Sequence, residues 1–181
     1  MTERTTEFMP LVQPDDLPAD LRAQWEATER EGLRDFTRLM AHAPEQFRTF
    51  NAAYASARFD NRLGVRLTEL VRIAVAQTTR CPVCMAGRHP AAVAEGMTEE
   101  LVAEIGGERT CMTEAERVAV DFAQKFATDH LSITDADKDE LRRHFDPEQV
   151  VQLVLLTVFC LVGRFSMISG CLLYTSPSPR D

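Results

Sequence analysis

Two cysteines stand three positions apart in the segment CPVCMAGRHP, which runs from Cys81 to Pro90. Because proline is favoured at the first position of a helix, Pro82 predicts that Cys81 is a helix N-cap and Cys84 the third helical residue. The unpaired N–H groups and the positive dipole end at a helix start favour the thiolate and lower the pKa of a thiol. Two sulfurs one turn apart can also close into a disulfide, so the pair is a candidate two-electron redox couple.

Two other interpretations of this pair remain open. A zinc site needs four ligands, and the chain has no second C-x-x-C, so His89, Cys111 and His130 would have to converge from separate segments. Free cysteines are also often buried as small apolar residues. A haem-attachment motif is excluded, because methionine rather than histidine follows the second cysteine.

If the pair reduces a peroxide, the reaction also needs a base and an acid. Glu69 is the candidate base, in the segment RLTELVRIAVAQ, whose apolar residues recur with helical spacing. The alternative is that Glu69 pairs with Arg66 or Arg72, each three positions away. A continuous helix would hold Glu69 about 18 Å from Cys81. The chain must therefore break at residues 78–81 and fold back for the two to meet.

Helix signals recur along the chain, and no segment shows a credible strand pattern. Pro44 suits a first helical turn, Thr113 and Glu116 form a capping box, and further starts are predicted at Thr134 and Asp146. A single helix is expected from Pro82 to a closing glycine at position 96. We therefore predict an all-α bundle of about seven or eight helices.

The length of 181 residues suits one domain, which we assign to residues 1–170. The net charge of -8 argues against a nucleic-acid partner, since phosphates require a basic face. The N-terminus has no apolar leader segment, so a cytoplasmic protein is expected. The last eleven residues, CLLYTSPSPRD, resemble translated vector sequence, and we expect residues 171–181 to be a non-native tail.

An apolar run extends from Val150 to Val162 and stops before Arg164, short of the roughly 20 residues that a bilayer span needs. No membrane association is expected from it. A helix with so little polar face needs burial nearly all round, so the run predicts a core or subunit-interface helix and a homo-oligomer.

The segment RLTELVRIAVAQTTRCPVCMAGRHPAAVAEGMTEE resembles the carboxymuconolactone decarboxylase superfamily, on its branch of AhpD-like alkylhydroperoxidases. The shared features are a glutamate twelve positions before the first cysteine, an apolar helix between them, and the continuation from Ala92 to Glu99. Later segments, including VGRF, extend the resemblance over residues 35–168. It implies an all-α fold that assembles as homotrimers or homohexamers.

The resemblance also implies a thiol-dependent peroxidase for hydrogen peroxide or alkyl hydroperoxides, with no bound cofactor or metal. In that scheme Cys84 is similar to the peroxidatic cysteine and Cys81 to the resolving cysteine that faces the reductant. Glu69 is similar to the general base of a proton relay. A dithiol, such as a lipoyl group on an adaptor protein, then reduces the disulfide.

The chain departs from the family pattern at the relay histidine. The family histidine usually stands four residues after the second cysteine, where this chain has Arg88, and His89 follows one position later. One residue is about 100° of helix, so His89 needs a rotation to serve as the relay, while Arg88 is a candidate to stabilise the Cys84 thiolate by charge. Two alternative functions remain: the decarboxylase activity, which requires no thiol pair, and a non-catalytic redox-sensing or interaction protein.

Overall fold

The computed structural model describes residues 8–169, which form α-helices and two short 3-10 helices and contain no β-strand. The all-α prediction is confirmed. The predicted tail at 171–181 lies outside the described residues. The α-helices are α1 Ala19–Ala27, α2 Glu31–Met40, α3 Pro44–Phe59, α4 Val65–Thr79, α5 Pro82–Ala86, α6 Pro90–Ala94, α7 Glu99–Glu104, α8 Glu114–Thr128, α9 Asp135–His144, α10 Pro147–Cys160 and α11 Gly163–Ile168, with 3-10 turns at Pro14–Asp16 and His130–Ser132.

Helix α4 is the centre of the fold. One side of it packs on α8 and α10, where Val71 and Val75 meet Ala119, Ala123 and Leu153. Another side packs on α6 and α7 through Leu70, Ile73 and Ala74. Since α4 has neighbours on nearly every side, its polar residues are buried with the apolar ones, and each needs a partner inside the protein.

Local capping chemistry sets where several helices begin. Thr113 and Glu116 form both hydrogen bonds of the predicted capping box at the start of α8. Asp146 caps α10 in the same reciprocal way, with Pro147 at its first position. These starts agree with the sequence prediction, because a cap depends only on residues three positions apart.

The chain reverses direction between α4 and α5. Arg80 adopts a left-handed conformation (φ 53°) that ends α4, and the N–H of Cys81 then donates to the carbonyl of Ala76. The break predicted at residues 78–81 is therefore present. It folds α5 back against α4, which is what brings the cysteine pair towards Glu69.

The single helix predicted from Pro82 to Gly96 is wrong, since α5 ends at Ala86 and α6 begins at Pro90. A residue before proline avoids the helical region, and His89 is indeed extended (φ −76°, ψ 126°). Gly87 is extended as well, and its carbonyl accepts a hydrogen bond from α4. Tertiary bonds to α4 and the proline together keep the two helices apart.

Helices α10 and α11 together form an apolar stretch of 22 residues, Pro147–Ile168, which by length and composition alone could cross a membrane. A core helix passes the same test, and here Leu153 and Leu156 are fully buried within the protein. Within residues 8–169 no segment covers the outer face, where Val151, Leu155 and Val158 form one helical stripe and are 57%, 46% and 44% exposed. The predicted burial all round therefore does not hold within the single chain.

Candidate functional site

Cys81 and Cys84 form a disulfide, with their Cα atoms 5.3 Å apart. Cys81 is the N-cap of α5, Pro82 is its first residue, and the N–H of Cys84 donates to Sγ of Cys81 at 3.2 Å. The capping geometry predicted from Pro82 is confirmed. A pair in this geometry can alternate between dithiol and disulfide without rebuilding the helix start.

The two sulfurs differ in their access to solvent. Cys81 is completely buried, packed with Leu11 and Leu39, whereas Cys84 is partly exposed and lines a cavity. The resemblance implies that Cys81 faces the reductant. In the disulfide state the N-terminal segment and α2 cover Cys81, and its role towards the reductant stays a prediction. A small molecule in the cavity meets Cys84 first.

Gly163, the first residue of α11, packs directly on the disulfide. A Cβ atom at this position would lie 3.5 Å from Sγ of Cys84 and 3.8 Å from Sγ of Cys81. A methyl group would still fit in ordinary contact, but a larger side chain would have to displace the sulfurs. The glycine of the VGRF segment thus leaves room for the disulfide.

The cavity beside Cys84 has a volume of about 450 Å³. Its walls come from α1, α2 and α3 on one side and from α4, α5 and the start of α11 on the other. One part of the wall is aromatic, and the rest carries, among the described residues, four arginines and one carboxylate, that of Glu69. The lining includes Arg30, Phe36, Phe47, Phe50, Tyr54, Arg58, Glu69, Arg72, Cys84, Arg88, His89 and Cys160.

Glu69 is 2% exposed and accepts four hydrogen bonds. Arg72 donates to both of its oxygens at 2.6 and 2.8 Å, Arg58 donates at 3.1 Å, and the backbone N–H of His89 donates at 3.0 Å. Burial raises the pKa of the Glu69 carboxyl, but the hydrogen bonds and charges of Arg72 and Arg58 outweigh it, so the net pKa lies below its ordinary value. The carboxylate therefore stays ionised and binds a proton weakly.

Arg72 connects Glu69 to the cysteine pair. Its guanidinium donates to the carbonyl of Cys84 at 2.5 Å and to that of Gly87 at 2.8 Å, in addition to its two bonds with Glu69. These carbonyls lie at the end of α5, where a cation is favoured. Of the two partners considered for Glu69, Arg72 is the one present, whereas Arg66 pairs with Glu116.

The two residues proposed for the relay position face different partners. The guanidinium of Arg88 bonds Glu99 at 2.9 and 3.0 Å and the carbonyls of Met85 and Gly87. Nδ1 of His89 accepts the N–H of Ala91 as the N-cap of α6. The contact of His89 with Glu69 is made by its backbone N–H. The helix breaks between Ala86 and Pro90, so the position of His89 is set by this break and not by a rotation within one helix.

Tyr54 and Cys160 add a phenol and a third thiol to the cavity wall. Burial raises the pKa of Tyr54 well above its ordinary value, and it raises the pKa of the Cys160 thiol to about 11. Both groups are therefore neutral near pH 7.

The convergent zinc site weighed from the sequence does not form around the disulfide. Within residues 8–169, the side chains close enough together to bind one metal ion are Glu114, Glu140 and His144, on α8 and α9. None of His89, Cys111 and His130 belongs to that group. The cysteines are joined to each other instead.

Sequence reasoning missed Arg58 and Tyr54. They stand four positions apart on α3, the spacing that places two side chains on one helix face, and the Arg58 guanidinium lies 5.6 Å from the centre of the Tyr54 ring. The sequence shows this spacing, but it does not show which face of α3 packs towards α4. Both residues enter the site through tertiary packing.

Comparison with known proteins supports the same fold. Residues 44–125 match the carboxymuconolactone decarboxylase family. No curated protein sequence matches the chain significantly. Among solved structures, an uncharacterized peroxidase-related protein of Ralstonia eutropha JMP134, described as an alkylhydroperoxidase AhpD core, superposes with a TM-score of 0.74 at 20% identity, covering 94% of this chain and 93% of its own.

Two further structures are similar. An uncharacterized peroxidase-related protein of Silicibacter sp. TM1040 gives a TM-score of 0.72 at 21% identity, covering 93% of this chain and 91% of its own. An Agrobacterium tumefaciens protein of unknown function, described as a putative antioxidant defence protein AhpD, gives a TM-score of 0.61 at 20% identity, covering 77% of this chain and 96% of its own. At these identities the similarity establishes the fold. The segment that matches the carboxymuconolactone decarboxylase family, residues 44–125, contains Glu69 and both cysteines, and the chain has an AhpD-like fold.

Proposed function

We propose that the protein is a thiol peroxidase that reduces hydrogen peroxide or alkyl hydroperoxides through the Cys81–Cys84 couple. The observation that carries the proposal is the position of Cys84: it is the sulfur of the pair that lines the cavity, and its partner lies within disulfide distance behind it. The family match and the peroxidase-related descriptions of the structural neighbours point the same way.

In the proposed reaction the Cys84 thiolate attacks the outer oxygen of the peroxide. The O–O bond breaks, Cys84 becomes a sulfenic acid, and the alcohol or water leaves after taking up one proton. The Cys81 thiol then attacks this sulfur, which releases water and forms the disulfide. One peroxide is reduced by two electrons, and the two thiols supply them.

A dithiol restores the reduced pair. Because Cys81 is buried, the incoming thiolate attacks Sγ of Cys84, and Cys81 leaves as a thiolate. The N–H of Cys84 already points at Sγ of Cys81, so the helix start stabilises this leaving group. A second attack within the reductant releases Cys84 and leaves the reductant as a disulfide. We propose a lipoyl-type dithiol on an adaptor protein as this reductant, and no bound cofactor or metal.

The role of Glu69 as a general base stays a prediction. A base must take up a proton. Glu69 already accepts four hydrogen bonds, and the pKa of its carboxyl is lowered, so both features oppose protonation. The contacts favour a positioning role, in which Glu69 holds Arg72 against the carbonyl of Cys84 and fixes the backbone at His89. The imidazole of His89, which lines the same cavity, remains the candidate proton carrier.

We also propose that identical copies associate through the exposed stripe of α10. A contiguous apolar stripe on a helix is typical of a protein interface. Sedimentation of the wild-type chain should give an oligomer, and Leu155→Glu should shift it towards the monomer. A monodisperse wild-type monomer would contradict this proposal. The cytoplasmic location stays a prediction.

The peroxidase proposal is tested by turnover with dihydrolipoamide as the reductant and hydrogen peroxide or cumene hydroperoxide as the oxidant. Cys84→Ser should abolish dithiol consumption, and Cys111→Ser, at an exposed free cysteine, is the matched control. Equal turnover by Cys84→Ser and wild type would refute the assignment. Oxidation of the pair without turnover would instead indicate a redox-sensing protein.

A further inference from the structure

The cavity beside Cys84 is far larger than hydrogen peroxide requires. Its volume of about 450 Å³ lies within the range of pockets that take small organic ligands, roughly 300–1,000 Å³. A water molecule occupies about 30 Å³ in the liquid, so the space would hold on the order of ten or more solvent molecules around a peroxide of two oxygens. Its size suits a substrate with an organic body.

The aromatic wall of the cavity fits such a body. Phe36 and Phe47 meet edge to face with ring centroids 5.8 Å apart, and Phe50 stacks on Tyr54 at 5.7 Å. Phe47 is buried and supports the partly exposed ring of Phe36, and Phe36, Phe50 and Tyr54 offer a preformed apolar surface to the cavity that Cys84 also lines.

The charge of the cavity wall is positive, although the whole chain carries -8. Among the described residues that line it are four arginines, at positions 30, 58, 72 and 88, and one carboxylate, that of Glu69. The negative charge of Glu69 neutralises one of the two arginines that bond it, Arg58 and Arg72. The charge of Glu99, which lies outside the cavity, neutralises Arg88. Counted over residues 8–169, two positive charges remain, and the thiol of Cys160 and the phenol of Tyr54 are neutral near pH 7.

Arg30 and Arg58 are the candidate partners for an anion in the cavity. Nε of Arg58 is buried and has no hydrogen-bond partner within residues 8–169, although a buried donor without a partner is costly. The Arg30 guanidinium lies over Gly87 so closely that a Cβ there would be 2.5 Å from it. Arg30 thus stands at the cavity wall next to the loop that follows Cys84.

From this arrangement we propose that the cavity binds an organic hydroperoxide whose apolar body also carries a carboxylate. The body packs against the aromatic wall, the carboxylate pairs with Arg30 and Arg58, and the peroxide group reaches Cys84. The Cys84 thiolate then attacks the outer oxygen of the peroxide, the O–O bond breaks, and the corresponding hydroxy acid leaves after taking up one proton. The inference rests on the proposed function and narrows its substrate class.

Binding is measured without turnover by titrating wild-type protein calorimetrically with an inert product analogue, 4-(2-hydroxypropan-2-yl)benzoate, and with its methyl ester. The acid should bind about tenfold or more tightly than the ester, as expected for one charge-assisted hydrogen bond, and salt should weaken only the acid. Arg30→Gln and Arg58→Gln should each reduce the preference severalfold. Arg48→Gln, on α3 but outside the cavity, should leave it unchanged.

Turnover separates this inference from the proposed function. Cumene hydroperoxide and its para-carboxylate are compared under the same reductant, and the carboxylate should show a kcat/KM about tenfold higher. Equal kcat/KM values, or equal binding of acid and ester, would overturn the inference while leaving a peroxidase. Selective binding of the acid without turnover of any peroxide would overturn the proposed function and leave a carboxylate-binding cavity.

Discussion

Replacing Arg72 by methionine tests how the protein couples the cysteine loop to its core. The side chains of Arg72 and Glu69 are only 8% and 2% exposed, so the change leaves a buried carboxylate without its main partner. Breaking a buried pair in this way costs about 3–5 kcal/mol. For a domain of this size that corresponds to a fall in Tm of roughly 6–20 °C.

A second arginine on α4 provides a matched control. Arg66 also bonds one carboxylate, that of Glu116, and two backbone carbonyls, those of Glu95 and Gly96, but its side chain is 26% exposed. Because Arg66 is partly exposed, water can replace some of the hydrogen bonds that Arg66→Met removes, and the free energy of unfolding should fall by about 1–2 kcal/mol. Only Arg72→Met should also increase hydrogen exchange in the cysteine loop.

Urea unfolding at several pH values completes this test. Because the folded-state pKa of Glu69 is lowered, its contribution to stability is present above its ordinary value of 4.5 and is lost as the pH falls. Arg72→Met should flatten this acid dependence, and adding Glu69→Gln should recover about 1–3 kcal/mol. Equal losses for Arg72→Met and Arg66→Met, with unchanged acid dependence, would refute the reasoning.

Three further predictions concern separate parts of the chain. Gly163→Ala should change the free energy of unfolding by less than about 1 kcal/mol, since its Cβ would lie 3.5 Å from Sγ of Cys84. Gly163→Val should slow disulfide formation, and equal oxidation rates for Gly163→Val and wild type would contradict this. Thr113→Ala removes the capping box with Glu116 and should cost about 1 kcal/mol in urea unfolding; a change below about 0.3 kcal/mol would count against it. The Cys160 thiol, whose pKa is raised to about 11, should be alkylated at pH 8 about tenfold or more slowly than the exposed Cys111. Similar alkylation rates for the two cysteines, measured by mass spectrometry, would refute the burial of Cys160.

Short-range features of this protein are the ones that its sequence predicts well. The caps at Thr113 and Asp146 and the placement of Cys81 before Pro82 depend on residues a few positions apart, and the structure contains all three. The apolar pattern of α4 likewise predicts its helix. Each follows from local backbone chemistry.

Features set by packing between distant segments were not predictable in this way. The split between α5 and α6 combines a local signal, Pro90, with the hydrogen bond from Arg72 to the carbonyl of Gly87, and this contact across fifteen residues has no sign in the local pattern. The pattern of RLTELVRIAVAQ suggested both functions for Glu69, and only the folded chain shows the ion pair with Arg72. The cavity itself joins α1–α3 to the cysteine loop, and its aromatic and cationic walls have no signature in local spacing.

The most direct test of the central claim is mass-spectrometric thiol labelling of the reduced protein before and after one equivalent of hydroperoxide, and again after dihydrolipoamide. The account predicts that the Cys81–Cys84 disulfide forms within the chain, is reduced by the dithiol, and cycles with matching consumption of both reagents. Thiols at Cys81 and Cys84 that stay reduced in the presence of peroxide would contradict it.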